Sequence, residues 1–569
     1  MKYLNFKSNY NKNPIIKISD DKKLMVDVNE IVTELKKINQ GVIAFETYPG
    51  VNLEVLKNNI LTKLNPNLLI NVEEFAKTED ELNEMLSYNL TDDRVFGIYS
   101  HHKINDFYHE KDILNINNII KNQKLVILYG FGASLFNYDY INHVSITRWE
   151  IQLRFRKGYP NFRSTNYDED NLRKYKRGFF VEWRVADRIK DNIKDKMSYV
   201  IDYNDLEKPV MIDKKTYLSS LKEVTKRPFR MVPYFDPGVW GGQWMKEVCN
   251  LDPKKENYAW SFDGVPEENS IKLGFGKETI ELPTQDVVQF FPRDLMGDKV
   301  HARFGKMYPI RFDLLDTMEG GNLSLQVHPL QEYIFDNFGM TYTQDESYYI
   351  LDNKDDAICY LGFKENINKE EFIKELSESA KGLKSFDADK FIHKFKVKKH
   401  DHYSIPAGTI HCSGTNTMVL EISACNYIFT FKLWDWDRLG LDGRPRPVHL
   451  EHGLKNIDYT RDKDWVNKNL INPFIKINDH EEITGLHERE FLRTTRYTFN
   501  QPLLIKTNNT VTTANLVEGI SAIIKSPTNS FKPFTVNYAE TFIIPANVDS
   551  YTIETLNNKE GMIITAQVK

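Results

Sequence analysis

Asn322-Leu323-Ser324-Leu325-Gln326-Val327-His328-Pro329 is the stretch that decides how most of this chain is read. Alternation along a strand puts Ser324, Gln326 and His328 on one face and Leu323, Leu325 and Val327 on the other. The polar face must look into a cavity or water, where a glutamine and a histidine two residues apart offer an oxygen and an imidazole nitrogen to one ion. Eighteen residues after His328, Glu346 opens a second strand, and its carboxylate can supply a third ligand. Residues 404–411, SIPAGTIH, carry a turn directly before His411, which places another imidazole at a strand start. Two histidines, one glutamate and one glutamine with water suit zinc, with manganese or ferrous iron as alternatives. Taken singly, each residue also reads as an ordinary strand amide, structural histidine or solvent-facing charge. His400 and His402, also two apart, form a competing pair.

Outward from this stretch, residues 229–480 read as short strands separated by turns (YPIRFDLLD, LSLQVH, SYYIL, HYSIP, VLEIS, YIFTFKL) with one helical insertion over 368–383, the pattern of a β-sandwich or jelly roll. Residues 481–569 read as a second, smaller β domain. Residues 1–228 instead alternate apolar runs (41–46, 68–72, 95–99, 124–130, 141–146 and 198–203) with helical stretches such as 53–64 and 79–86, the βαβ rhythm of a mostly parallel sheet. The predicted fold class is therefore multidomain: an N-terminal α/β domain with a P-loop-like parallel sheet, an all-β cupin or jelly-roll domain with helical insertions, and a small C-terminal β domain.

The chain has 569 residues, 41% hydrophobic and 27% charged, which excludes wholesale disorder. Its 75 Lys and Arg against 80 Asp and Glu leave −5, no net field for a polyanion, so nucleic acid is not an expected partner. No secretory-type apolar stretch opens the sequence and no run of about 20 apolar residues occurs, so neither export nor membrane spanning is expected. Cys249, Cys359, Cys412 and Cys425 are scattered without a CxxC pair, which fits a reducing cytoplasm. Oligomeric state is not encoded in any motif.

A phosphate loop after the first strand requires GxxxxGK[ST]. Thr47-Tyr48-Pro49-Gly50-Val51-Asn52 stands in that place without the lysine, and Pro49 removes an amide donor. With the basic run from Arg173 to Lys190, this context resembles a degenerate nucleoside-kinase-like domain, from which no phosphotransfer is expected. The run itself reads as a solvated helix face.

LSLQVHP (323–329), Glu346, YILD (349–352), YLGFK (360–364), IPAGTIHCSG (405–414) and FKLWDWDRLGLDGRPRPVHLEH (431–452) follow one another in an order that resembles the class I mannose-6-phosphate isomerases of the cupin type, over residues 230–569. The resemblance implies a zinc-dependent interconversion of mannose 6-phosphate and fructose 6-phosphate. It implies metal ligation by Gln326, His328, Glu346 and His411, a role for Arg438 in catalysis or phosphate binding, and Ser324 near the substrate phosphate. Three positions depart from the family: Thr343-Gln344-Asp345 lacks the usual lysine before Glu346, Phe431-Lys432 replaces Tyr-Arg, and Asp313 stands where a lysine is usual. With that lysine absent, Lys432, Glu319, His301 or a metal-bound hydroxide is expected to act as base. The alternative expectation is a non-catalytic metal-bearing cupin that binds and senses a sugar phosphate. A ferrous-iron oxygenase is a third.

Overall fold

The computed structural model describes residues 2–19, 23–424, 427–472, 474–485, 487–556 and 559–569, so Cys425 lies outside the described residues. The chain forms two compact units, Ile15–Glu223 with Ser270–Phe290, and Met1–Pro14 with Val224–Asn269 and Phe291–Lys569.

The first unit is built on six strands: β1 (Gly41–Thr47), β2 (Leu68–Asn71), β3 (Leu125–Gly130), β4 (Tyr140–Ser145), β5 (Met197–Asp202) and β6 (Val210–Asp213). They lie in the order β2-β3-β1-β4-β5-β6. The first five are parallel and β6 is antiparallel to β5. Parallel neighbours need crossover segments on the sheet faces, and Ile43, Phe45, Ile127 and Tyr129 are buried in one core with Leu56 and Ile60 from the crossover between β1 and β2 and with Ile31 and Leu35 from the helix before β1. The apolar run at 95–99 is not a strand, because its backbone is spent elsewhere. Ile98 N–H donates to the Asn89 carbonyl at 2.7 Å, and the Asn89 side chain donates back to Ile98 at 3.0 Å.

The basic run is not a solvated face either. Lys174, Lys176, Arg177, Arg184 and Lys190 are all buried, because partners within and beyond the run reach them: Arg177 pairs with Glu182 at 3.0 Å, Lys190 with the distant Asp286, and Lys174 and Lys176 donate to the Tyr159 and Thr91 carbonyls at 3.2 and 3.3 Å. Asp187, within the run, takes the Tyr48 hydroxyl at 2.9 Å and the Arg148 guanidinium at 2.7 Å.

The second unit begins with two antiparallel sheets. Strands β7 (Tyr234–Asp236), β8 (Trp260–Gly264), β9 (Arg311–Asp316), β10 (Leu325–Val327), β11 (Glu346–Asn353), β12 (Ile358–Phe363), β13 (Ile392–Lys396), β14 (His402–Ile405), β15 (His411–Ser413), β16 (Thr417–Ser423) and β17 (Phe431–Trp434) divide between them. One sheet runs β14-β11-β16-β9-β8-β7 and the other β13-β12-β15-β10-β17. The insertion is a helix, Lys369–Ala380, capped by the Asn368 side chain. From Ile475 onward the chain builds a six-stranded and a four-stranded antiparallel sheet around a core that includes Phe499, Leu516, Ile524, Phe542, Ile553 and Ile563. No helix of the described residues is long and apolar enough to cross a membrane.

Candidate metal centre

β10 lies between β15 and β17, with Gln326 opposite His411 on one side and opposite Lys432 on the other. Cross-strand partners share a face, so the amide, the imidazole and the ammonium stem leave the sheet in the same direction. His328 follows β10 directly, and Glu346 opens β11 of the other sheet. The four candidate ligands are buried, Gln326 being the most accessible at 8%.

They converge. His328 Nε2 is 3.1 Å from one Glu346 oxygen, His411 Nε2 is 2.8 Å from the other, and the Gln326 amide is 3.2 Å from His411 Nε2. His328, Glu346 and His411 are the one group of three or more His, Cys, Asp or Glu among the described residues whose ligand atoms lie within 4.8 Å of one another. Each imidazole is oriented from behind: His328 Nδ1–H donates to the Phe429 carbonyl and His411 Nδ1–H to the Thr409 carbonyl, both at 2.8 Å. That bond fixes the tautomer, so in the neutral ring the Nε2 lone pair is what faces the centre. Two lone pairs then face two carboxylate oxygens, an arrangement of acceptors that either a proton on each ring or a cation among them satisfies. A divalent ion bound by two imidazoles, a carboxylate and the Gln326 amide oxygen fits this donor set.

The electrostatics agree. Burial disfavours the charged His328, but the Glu346 carboxylate outweighs it and raises the imidazole pKa. Burial alone would raise Glu346, yet the two imidazoles hold it well below the usual carboxylate range.

Gln344, standing where the family resemblance leads one to expect a lysine, orients the ligands. Its amide N–H donates to Glu346 at 3.1 Å, and its carbonyl accepts from the Phe429 N–H at 2.9 Å, the residue whose own carbonyl holds His328. The turn before His411 is equally pinned: Ala407 N–H donates to Asp345 at 2.8 Å, Gly408 N–H to the His328 carbonyl at 3.0 Å, and Arg461 to the carbonyls of Pro406 and Ala407 at 2.8 and 2.9 Å.

One functional group escapes the sequence reading. Glu421 on β16 is opposite Tyr348 of β11 and Asp313 of β9, while Glu346 is opposite Ser423. Glu421, Asp313 and Arg311 therefore share the face that carries Glu346. Burial pushes the Glu421 carboxyl well above its ordinary value, as do the Glu346 and Asp313 carboxylates. Burial likewise lifts Asp313, to about 6, against the pull of Arg311, with which it pairs. The signal for Glu421 was a lone acid inside the apolar strand VLEIS.

Arg438 is half-buried, ion-paired with Asp435. It lies against the loop that enters β10, where a Cβ added at Gly321 would come within 2.9 Å of its Nη1. Ser324 is buried immediately before β10. The other base candidates are engaged away from the cluster, Glu319 with Lys2, Lys354 and Tyr3, and His301 with the Gly305 carbonyl at 2.9 Å. His400 and His402 form no centre of their own. The first bonds Tyr349 and Glu518, the second Ser347 and Thr484.

Residues 27–226 match a family model described only as a domain of unknown function, DUF8485. A probable mannose-6-phosphate isomerase of Bacillus subtilis (strain 168), GmuF, is 25% identical over 331 residues, 58% of this chain and 96% of that protein. The mannose-6-phosphate isomerase ManA of the same strain is 26% identical over 241 residues, 41% of this chain and 69% of that one. The crystal structure of the Bacillus subtilis mannose 6-phosphate isomerase superposes with a TM-score of 0.50 at 20% identity, covering 60% of this chain and 99% of that one. Some 60% of the chain thus has the fold of these isomerases.

Proposed function

We propose that this chain is a metal-dependent aldose–ketose isomerase that interconverts mannose 6-phosphate and fructose 6-phosphate. The observation that carries the reading is the convergence of Gln326, His328, Glu346 and His411 from two sheets on one buried point, and the similarity to named isomerases supports it. The ion, zinc or else manganese or iron, supplies Lewis acidity at the substrate's carbonyl and neighbouring hydroxyl.

The protein's own residues do the rest. Isomerisation takes a proton from C2 of the aldose and returns one to C1, with a proton passing between O2 and O1, so a group that exchanges protons must face the sugar. Lys432, in register with Gln326, and Glu421, with Asp313 opposite it on the face that carries Glu346, are such groups on the ligand-bearing faces. Arg438, held by Asp435, and Ser324, immediately before β10, would bind the phosphate, the guanidinium through paired N–H donors. Buried free thiols at Cys249, Cys359 and Cys412 support placing the reaction in the cytoplasm.

The test is turnover of mannose 6-phosphate to fructose 6-phosphate by protein loaded with zinc or manganese. Turnover is expected in the wild type and is lost in Glu346→Ala and His411→Ala. A metal-loaded wild type that binds the sugar phosphate yet exchanges no C2 proton with deuterated water is a binding protein instead.

A further inference from the structure

The first unit carries a cleft of about 470 Å³ bounded by the loop Tyr48–Val51, the segment after β2 and the stretch 160–167. It opens beyond the carboxyl ends of β1 and β2, and β1 is where the sheet switches direction, with β3 on one side and β4 on the other. Ligands of open parallel sheets bind in that place, and the volume is that of a small-molecule site.

The lining decides what fits. A triphosphate needs a loop of free amides and a cation, but here the loop contains Pro49, and the nearby guanidinium of Arg148 is already spent on the protein's own anion, Asp187, together with Tyr48. Three carboxylates, Glu73, Glu74 and Glu79, line the cleft against a single arginine, Arg163. Glu79 is consumed by Ser164 and Thr165. The Asn71 Oδ1 is consumed by the Glu73 N–H, and one Glu73 oxygen by the Phe131 N–H. What is left facing the cleft is a mixed set: the second Glu73 oxygen, the Glu74 carboxylate, the Asn71 amide N–H groups and the terminal nitrogens of Arg163, none of which has a hydrogen-bond partner among the described residues. Burial lifts Glu73 to about 7, so near neutral pH its carboxyl both donates and accepts.

We propose that this cleft binds an uncharged ring bearing neighbouring hydroxyls, the chemistry shared by a free sugar and the ribose of a nucleoside, and that a triphosphate adds nothing to that binding. Adjacent hydroxyls each donate and accept, which matches alternating carboxylate oxygens and N–H donors. Pro49, Val51 and Pro160 supply apolar surface for the ring's C–H face.

Calorimetry on the full chain with mannose, adenosine and ATP as separate titrants tests this. Saturable binding of mannose or of adenosine is expected, and the arm that responds identifies the source. ATP should bind no tighter than adenosine. Glu74→Ala and Arg163→Gly should each weaken that binding at least tenfold while metal content stays at the wild-type level. Glycine is chosen because Arg163 sits at φ 51, where it is unstrained, so this variant keeps the fold. Binding of neither mannose nor adenosine, tighter binding of ATP than of adenosine, or binding that survives both substitutions overturns the proposal.

Discussion

Gln344 shows what a single residue can do without touching the ion. It spans from Glu346 to the Phe429 N–H, so one amide sets the carboxylate and the segment before β17 that holds His328. Groups of this kind typically tune affinity by about 10- to 100-fold. Gln344→Ala should therefore weaken metal binding by about that factor in a competition titration with a chelating dye, with the fold retained by circular dichroism. The convergence of Gln326, His328, Glu346 and His411 as candidate ligands was legible in the sequence because each sits in a local pattern of alternation or turn. Glu421 was not legible, since what turns it inward is its register with Tyr348 and Asp313 on two other strands, and register is a long-range property. The same limit hid the use of the basic run, whose burial depends on acids such as Asp286 nearly a hundred residues away from Lys190.

Among elements, the turn between β14 and β15 matters most, because it aims His411. Four carbonyls and amides of that turn are held by Arg461, Asp345 and the His328 carbonyl rather than by a sheet. Removing the arginine leaves the Ala407 carbonyl without its donor in the interior, at a cost of about 1–3 kcal/mol, while the Pro406 carbonyl keeps the Thr409 hydroxyl and N–H. Arg461→Ala is expected to lower the melting temperature and to loosen metal binding, although Arg461 is not a ligand. A metal affinity equal to wild type in this variant would show that the turn is held by other means. Strands were read correctly where apolar runs were long and flanked by turn residues, as in β1, β3 and β5. The run at 95–99 misled because hydrophobicity reports burial and not pairing, and its pairing went to the end of a helix at Asn89. β6, Val210–Asp213, was not read as a strand.

At the scale of the whole molecule, buried carboxyls set the response to pH. Burial, opposed by backbone N–H donors from Asn204 and Glu281, lifts Asp202 from an ordinary 3.8 to about 7. Between those values the unfolded chain has released the proton that the folded chain retains. Stability contributed by the neutral form is complete below the unfolded value and falls as pH rises through the folded one. The buried His143, lowered to about 3 by burial and Lys190, acts in the opposite sense below pH 6.5, so the informative quantity is a difference between proteins. The melting temperature of Asp202→Asn relative to wild type should rise from pH 4 to pH 7 and level off above it. A difference that stays flat across this range would contradict the shift.

The central claim is that one divalent cation binds where the two sheets of the second unit bring Gln326, His328, Glu346 and His411 together. Elemental analysis of the purified full chain after dialysis tests it most directly, with Glu346→Ala and His411→Ala measured beside the wild type. One equivalent of zinc, manganese or iron per wild-type chain, falling below a tenth of that in both variants, is the result predicted. A wild type without stoichiometric metal, or variants that retain it, would contradict the account.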